Sequence, residues 1–156
     1  MKRDFRATMG IRFWALKNVF LLWFVSPSVI EVNEDRCVVR IPLGWKTRNH
    51  LGSMYFGALA IGADIAGGLI AFHLMQKRGI RAAFVFKDMH AEFLKRPESD
   101  VLFRCEDGAL IRDLLERTFA TGERQEATVH VVATAPAKLG DEPVARFALT
   151  LSLKRR

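Results

Sequence analysis

Residues 51–72 read LGSMYFGALAIGADIAGGLIAF and decide the fold of this 156-residue chain. The stretch is apolar on every side, and Gly79 follows it as a helix-ending glycine, so we predict a long buried helix from about Phe56 to Met75. Asp64 is the only charged residue in the stretch. Burying a carboxylate costs several kcal/mol unless it is neutralised or hydrogen-bonded. Asp64 is therefore the first candidate for a functional residue.

Segments with alternating apolar residues flank the predicted helix and are typical of β-strands. One lies at residues 37–41 before the helix, and 82–94, 101–105, 127–134 and 143–154 follow it, the first of these as one long or bent strand. A short helix with an apolar face is predicted between them, after Asp107 and Gly108. One long apolar helix and about five strands predict an α+β domain in which that helix covers one face of an antiparallel sheet.

A membrane-spanning helix is the alternative interpretation of residues 51–72, because the stretch is long enough to cross a bilayer. Its small residues, such as Gly62 and Ala66, suit helix packing in lipid. Asp64 would then lie near the bilayer centre at a cost of roughly 3 kcal/mol. A lone spanning helix would also leave the amphipathic strands uncovered. We therefore favour the core helix of a soluble domain.

Composition indicates one domain over residues 1–156, since half of the residues are hydrophobic and the chain can bury its own core. The net charge of +7 favours anionic partners. The basic residues are scattered in ones and twos without a recognition motif, which argues against nucleic acid as a partner.

Two cysteines, Cys37 and Cys105, do not make a disulfide framework, so we predict reduced, buried thiols.

The N-terminal segment is predicted to form a helical extension at about residues 9–26. Its apolar part superficially resembles a signal peptide, but Lys17 and Asn18 interrupt it and a small-residue cleavage site is missing. We expect a helix docked on the domain surface of a cytoplasmic protein. The segment is more aromatic than such a helix requires, so peripheral contact with a membrane is a further expectation.

The residues from Arg48 to Asp64 resemble the active-site segment of hot-dog fold acyl-CoA thioesterases, in the branch typified by the phenylacetate-pathway enzymes. Asn49, Gly52, Gly57 and Asp64 lie in register with that pattern. The order of elements is also similar to the hot-dog fold, a curved antiparallel sheet around a long central helix. Within the superfamily the chain is most similar to a branch described only as a domain of unknown function.

The resemblance implies hydrolysis of an acyl-CoA or another acyl thioester, with Asp64 as general base or nucleophile, backbone N–H groups of Phe56 and Gly57 as oxyanion donors, and Asn49 as a positioning residue. It implies no cofactor besides the coenzyme A of the substrate. The chain departs from the family at Tyr55 and Phe56, which replace a His and a Gly. The Phe56 side chain would narrow the space beside the substrate carbonyl, and Tyr55 could take over the hydrogen bond of the His.

Helix geometry adds a prediction about assembly. Asp64 lies seven residues beyond Gly57, on the same face but about 10 Å along the axis, so one carbonyl cannot contact both. If both act on one thioester, Asp64 must come from a neighbouring subunit. We therefore expect a dimer, or a dimer of dimers, with composite sites. The resemblance implies the same, because the sites of the family lie at dimer interfaces.

Other candidates for substrate contact lie near this segment or on the basic surface: Gly52, Tyr55, His50, Arg48, Lys87, Lys95 and Arg96. The basic ones could meet the phosphates of coenzyme A. The histidines and cysteines lack metal-ligand spacing, and no nucleophile-elbow serine is found. Asp64 could instead be a buried structural carboxylate, and Asn49 a turn cap. The alternative function is an acyl-CoA or fatty-acyl binding protein without catalysis.

Overall fold

The computed structural model describes residues 3–156. Its helices and strands, in chain order, are α1 (Phe5–Asn18), α2 (Phe20–Phe24), β1 (Ser28–Val32), β2 (Cys37–Ile41), α3 (Phe56–Arg78), β3 (Ala82–Phe93), β4 (Val101–Cys105), α4 (Gly108–Thr121), β5 (Gln125–Thr134), α5 (Pro136–Leu139) and β6 (Pro143–Arg155). The strands form one sheet in the order β1-β2-β4-β5-β6-β3, and all pairs are antiparallel. The predicted α+β architecture is confirmed.

The long helix α3 lies against the sheet and supplies much of the core. Its small residues allow a close approach, because a Cβ atom at Gly62 would lie 2.3 Å from the ring of Phe103, which is fully buried on β4. The helix ends at Gly79, whose φ of 63° is the left-handed conformation that glycine adopts most easily. By length and composition α3 could cross a membrane, but 72% of its apolar window is buried inside the fold. It is the core helix.

Strand β3 forms one edge of the sheet. It pairs with β6 on one side, and its register shifts between Phe86 and Met89, which explains the bend predicted near this point. On the other side no strand of residues 3–156 pairs with it. Most of its twelve residues are exposed, and the side chain of Val85 is 55% exposed. The fold therefore has a long edge strand with apolar residues open to a partner.

Polar contacts along α1 hold the N-terminal helices to β1 and the segment before it. Asp4 caps the helix through its carboxylate, which accepts a hydrogen bond from the N–H of Ala7 at 2.9 Å. Arg12 donates to the carbonyls of Pro27 and Ser26, and Thr8 bonds to the backbone of Val29 on β1. These contacts fix α1 and α2 over the face of α3 that the sheet does not cover.

The two cysteines are free and buried, as predicted, and lie opposite each other on β2 and β4. Burial raises the pKa of the Cys105 thiol to about 11 and that of Cys37 further. Both are therefore unreactive core residues at neutral pH.

Candidate functional site

Asp64 lines a cavity of about 230 Å³ between α3, the N-terminal helices and β3. Ile65, Gly68, Leu69 and Phe72 share the α3 wall, and the other walls consist of Ile11, Trp14, Val19, Leu22, Phe84, Val85 and Phe86. Among residues 3–156, Asp64 is the only charged residue in this lining. A carboxylate is thus presented to a small cavity that is otherwise lined by apolar residues.

Burial raises the pKa of the Asp64 carboxyl from its ordinary value of 3.8 to about 6. Desolvation is the cause, because low-dielectric surroundings disfavour the charged form. No hydrogen-bond donor or cation among residues 3–156 offsets it. Since the carboxylate is neither paired nor capped by the backbone, it is available as a base near neutral pH.

The first turn of α3 presents free backbone donors. Tyr55 is the residue before the helix, with φ −65° and ψ 138°, and no side chain caps this end. Within the described residues, the N–H groups of Phe56 and Gly57 have no hydrogen-bond acceptor, as expected for the first positions of a helix. They also lie at the positive end of the helix dipole. This turn can therefore stabilise a developing oxyanion.

The aromatic residues that replace the His and Gly of the thioesterase pattern pack beside this turn. The Phe56 ring is 59% exposed and packs edge to face on Phe93 of β3, with the ring centres 6.1 Å apart. The Tyr55 ring lies against Gly57, where a Cβ atom would come within 2.5 Å of it. Phe56 is therefore turned towards β3, and Gly57 leaves room for Tyr55.

Asn49 forms a turn. Its side-chain oxygen accepts hydrogen bonds from the N–H groups of Leu51 at 2.9 Å and Ser53 at 3.2 Å, and its amide donates to the Ser53 hydroxyl. Gly52 completes the turn with a φ of 81° and donates its N–H to the Asn49 carbonyl. In this arrangement the hydrogen bonds of Asn49 shape the loop that leads into α3.

The predicted basic contacts are divided between two places. Arg96 lies beside the turn before α3, because it reaches the Leu51 carbonyl at 3.5 Å and Glu98 at 3.6 Å. Arg48 and His50 are exposed in the same loop. Lys95 pairs with Glu142 instead, and Lys87 with Glu126 of β5. Arg48, His50 and Arg96 are therefore the predicted basic contacts that lie beside the start of α3.

Sequence reasoning missed the residues that enclose the cavity. Trp14 and Leu22 come from the N-terminal helices and Phe84 and Phe86 from β3, far apart in sequence. Trp14 packs on Phe72 with the ring centres 6.1 Å apart, and both also line an adjoining cavity of about 380 Å³. The helical spacing of Ile11 and Trp14 indicates that they share a buried face of α1, but it does not indicate which element they pack against.

No group of three potential metal ligands is found among residues 3–156.

The fold defines the class of protein. The Pseudomonas aeruginosa protein PA5026, described as a probable thioesterase, has a TM-score of 0.78 at 22% identity, covering 96% of each chain. A Chlorobaculum tepidum protein of unknown function has a TM-score of 0.84 at 11% identity, covering 99% of this chain and 98% of that one. The thioesterase HI1161 of Haemophilus influenzae has a TM-score of 0.69 at 15% identity, covering 95% and 90%. The chain therefore has the hot-dog fold found in thioesterases.

A family model matches residues 14–153, nearly the whole chain. The chain belongs to the family described as Domain of unknown function (DUF4442). No curated protein is significantly similar to it. The expected resemblance to a branch described only as a domain of unknown function is thus confirmed.

Proposed function

We propose that the protein hydrolyses acyl thioesters, such as acyl-CoA, at a site shared between two subunits. The observation that carries the proposal is Asp64. It is an unpaired carboxylate that lines an apolar cavity, and burial raises its pKa to about 6. An apolar cavity with one basic group suits an acyl chain whose reactive carbonyl lies at the carboxylate.

In the proposed reaction the Asp64 carboxylate takes a proton from a water molecule, and the water oxygen attacks the thioester carbonyl carbon. Negative charge develops on the carbonyl oxygen, which accepts hydrogen bonds from the N–H groups of Phe56 and Gly57. The carbon–sulfur bond then breaks. The thiolate leaves and takes up the proton held by Asp64, which restores the carboxylate, and the products are a carboxylic acid and a free thiol.

The two halves of the site lie about 10 Å apart along α3, as the rise per residue requires. We therefore assign Asp64 to one subunit and the oxyanion donors to the other. The open edge of β3 supports this assembly, since an exposed apolar edge strand such as this one tends to pair with a further strand. Pairing of two copies of β3 about a twofold axis would join both sheets and bring the two α3 helices together.

The basic group beside the turn before α3 supports coenzyme A as the thiol carrier. Arg48 is exposed without a carboxylate partner among residues 3–156, and Arg96 contacts the carbonyl of Leu51, three residues further along the same loop. Guanidinium groups bind phosphate well because they donate two parallel hydrogen bonds. An acyl-CoA would place its phosphates near these residues and its acyl chain in the cavity.

Binding of acyl thioesters without hydrolysis is the second candidate function. Tyr55 and Phe56 favour it, because they replace the His and Gly of the thioesterase pattern while the cavity is kept. In that case Asp64 would remain as a structural carboxylate.

Thiol release from a panel of acyl-CoAs of increasing chain length tests the proposal. We expect turnover by the wild type and a loss of roughly 10²–10⁴-fold in kcat/KM for Asp64→Asn. Asp113→Asn is the matched control, because it removes an exposed carboxylate on α4, far from the site in sequence and outside the cavity lining. Acyl-CoA binding without turnover would identify the second candidate, and equal turnover by Asp64→Asn would exclude Asp64 as the base.

A further inference from the structure

Helix α1 is apolar on two opposite faces. Its inner face holds Ala15, which is fully buried, and Trp14, which lines the Asp64 cavity. Its outer face exposes a row of apolar side chains at helical spacing: Phe5, Met9, Phe13 and Leu16. Phe13 is 62% exposed. A helix that only docks on its own domain needs one apolar face, so the outer row requires a separate explanation.

The exposed apolar residues continue into α2 and the loop after β2. Phe20 and Leu21 of α2 are exposed, Leu21 at 63%. Trp45 is 73% exposed and lies edge to face with Phe24, with the ring centres 6.1 Å apart, which places the loop beside α2. We call the exposed apolar side chains of α1 and α2, together with Trp45, the outer apolar surface.

Every charged residue within α1, α2 and the loop of Trp45 (residues 42–47) is positive, and Asp4 directly precedes α1. The sequence has no Asp or Glu between Phe5 and Ile30. The Lys17 ammonium lies 4.4 Å from the centre of the Phe13 ring, and that of Lys46 lies 5.6 Å from the Trp45 ring. Neither lysine has a carboxylate partner among residues 3–156. The surface thus interleaves aromatic rings with free cations, the pattern of a helix that lies in an anionic lipid interface.

This charge pattern argues against a second copy of the chain as the occupant. A twofold contact of the outer apolar surface with itself would bring uncompensated cations together, because no acidic residue of α1 or α2 is available to neutralise them. The open edge of β3 is a separate surface with an acidic residue of its own, Asp88. An anionic bilayer satisfies both properties of the outer surface, since the rings enter the acyl boundary and the lysines meet the headgroups.

We propose that the outer apolar surface docks the protein on an anionic lipid bilayer. The inner face of the same helices encloses the Asp64 cavity, so the docked protein would hold this cavity beside the source of acyl chains. That consequence rests on the proposed function, whereas docking itself does not.

Co-sedimentation of the full chain with vesicles tests the proposal. We use vesicles of phosphatidylcholine and phosphatidylglycerol at about three to one, and vesicles of phosphatidylcholine alone. We expect partition onto the anionic vesicles that weakens as salt is raised. Phe13→Ser with Leu21→Ser should lower the partition at least about tenfold, since two apolar side chains leave the interface. Leu51→Ser with Leu94→Ser is the matched control, because both residues are exposed leucines outside the surface.

A second variant preserves the apolar residues. Lys17→Gln with Lys46→Gln should reduce binding to anionic vesicles several-fold and flatten its salt dependence, as each lysine contributes about 1 kcal/mol near such a surface. Failure of the wild type to bind either vesicle would overturn the proposal. Binding at the wild-type level by Phe13→Ser with Leu21→Ser and also by Lys17→Gln with Lys46→Gln would overturn it too. A change in oligomeric mass for Phe13→Ser with Leu21→Ser would overturn it as well, because the surface would then be a subunit contact.

Docking and catalysis fail in distinguishable ways. Asp64→Asn should bind vesicles as the wild type does, because Asp64 lies inside the cavity. Hydrolysis of a short-chain acyl-CoA in solution should be unaffected by Lys17→Gln with Lys46→Gln. A wild type that binds anionic vesicles but does not hydrolyse acyl-CoA would therefore contradict the proposed function alone.

Discussion

The first turn of α3 and its middle differ in every physical property that matters for catalysis. The first turn carries free N–H donors, a positive dipole and exposed aromatic rings at Tyr55 and Phe56. The middle carries one carboxylate, Asp64, whose burial raises its pKa. The first turn favours negative charge on a ligand, and in the proposed mechanism Asp64 acts as the base. A helix that separates these roles by two turns can use both on one substrate only by meeting a second helix.

Beyond the loss of activity in Asp64→Asn, the largest effect is expected at the first turn, from a change that removes one N–H. Phe56→Pro deletes the donor where proline is tolerated, since this is the first helical position and Tyr55 before it is extended. We expect kcat/KM to fall roughly 10²–10³-fold. Phe56→Ala, which removes the ring and keeps the N–H, is the control. Equal losses in both variants would assign the effect to the ring.

The next largest effect is on the free energy of unfolding, which the buried Asp64 carboxylate lowers. Its folded-state pKa is raised, so the folded protein binds the proton more tightly, and the free energy of unfolding falls as pH rises from about 4 to about 6. Asn at this position does not titrate. Asp64→Asn should therefore be more stable than the wild type by about 3 kcal/mol at pH 8, and close to it at pH 4.

Urea unfolding of both proteins at equal concentration measures this difference. Asp113→Asn should show no comparable gain at pH 8, because its carboxylate is exposed and paired with Arg117. A stability difference for Asp64→Asn that is independent of pH would contradict burial as the source of the pKa shift.

A smaller effect follows from the protonation of Asp64. Below about pH 6 the carboxyl is neutral and cannot take a proton from water, so kcat/KM should fall about tenfold per pH unit and level off above that point. A pH profile of hydrolysis for a soluble acyl-CoA measures it. A profile that stays flat down to pH 4 would exclude a base with this pKa.

The smallest expected effect is the activity recovered in mixed dimers, which tests whether Asp64 and the first turn of α3 act from different subunits. Asp64→Asn and Phe56→Pro are each inactive in the proposed mechanism, but a mixed dimer holds one complete site. Unfolding and refolding an equal mixture should restore about a quarter of wild-type activity, because half of the dimers are mixed and each has one working site of two. No recovery in a mixture shown to contain mixed dimers would place both groups in one subunit.

Local sequence signals predicted the elements closest to the site. The apolar run and Gly79 predicted α3, which extends from Phe56 to Arg78, and the alternation around Lys87 and Asp88 predicted a bent β3. These succeeded because helix and strand periodicity are local properties. The N-terminal helices were less well predicted: α1 begins at Phe5 and stops at Val19, whose φ of −145° separates it from α2.

The site itself was only partly predictable. Asp64 was conspicuous because one charge in an apolar helix is costly wherever the helix packs. The turn that Asn49 forms, and the contact of Phe56 with Phe93, depend on which neighbours the fold supplies. The outer row of α1 is visible as spacing, but only its exposure shows that no part of residues 3–156 covers it.

The sequence by itself determined a buried central helix with one carboxylate, amphipathic strands to cover it, and the order of the donor turn and Asp64 along the chain. These follow from residue type and spacing, which act within a few turns or one strand. Only the tertiary structure decided that Trp14, Phe72 and Phe86 surround Asp64, and that β3 is an open edge. Desolvation and strand pairing depend on residues far apart in sequence, so they exist only once the chain has folded.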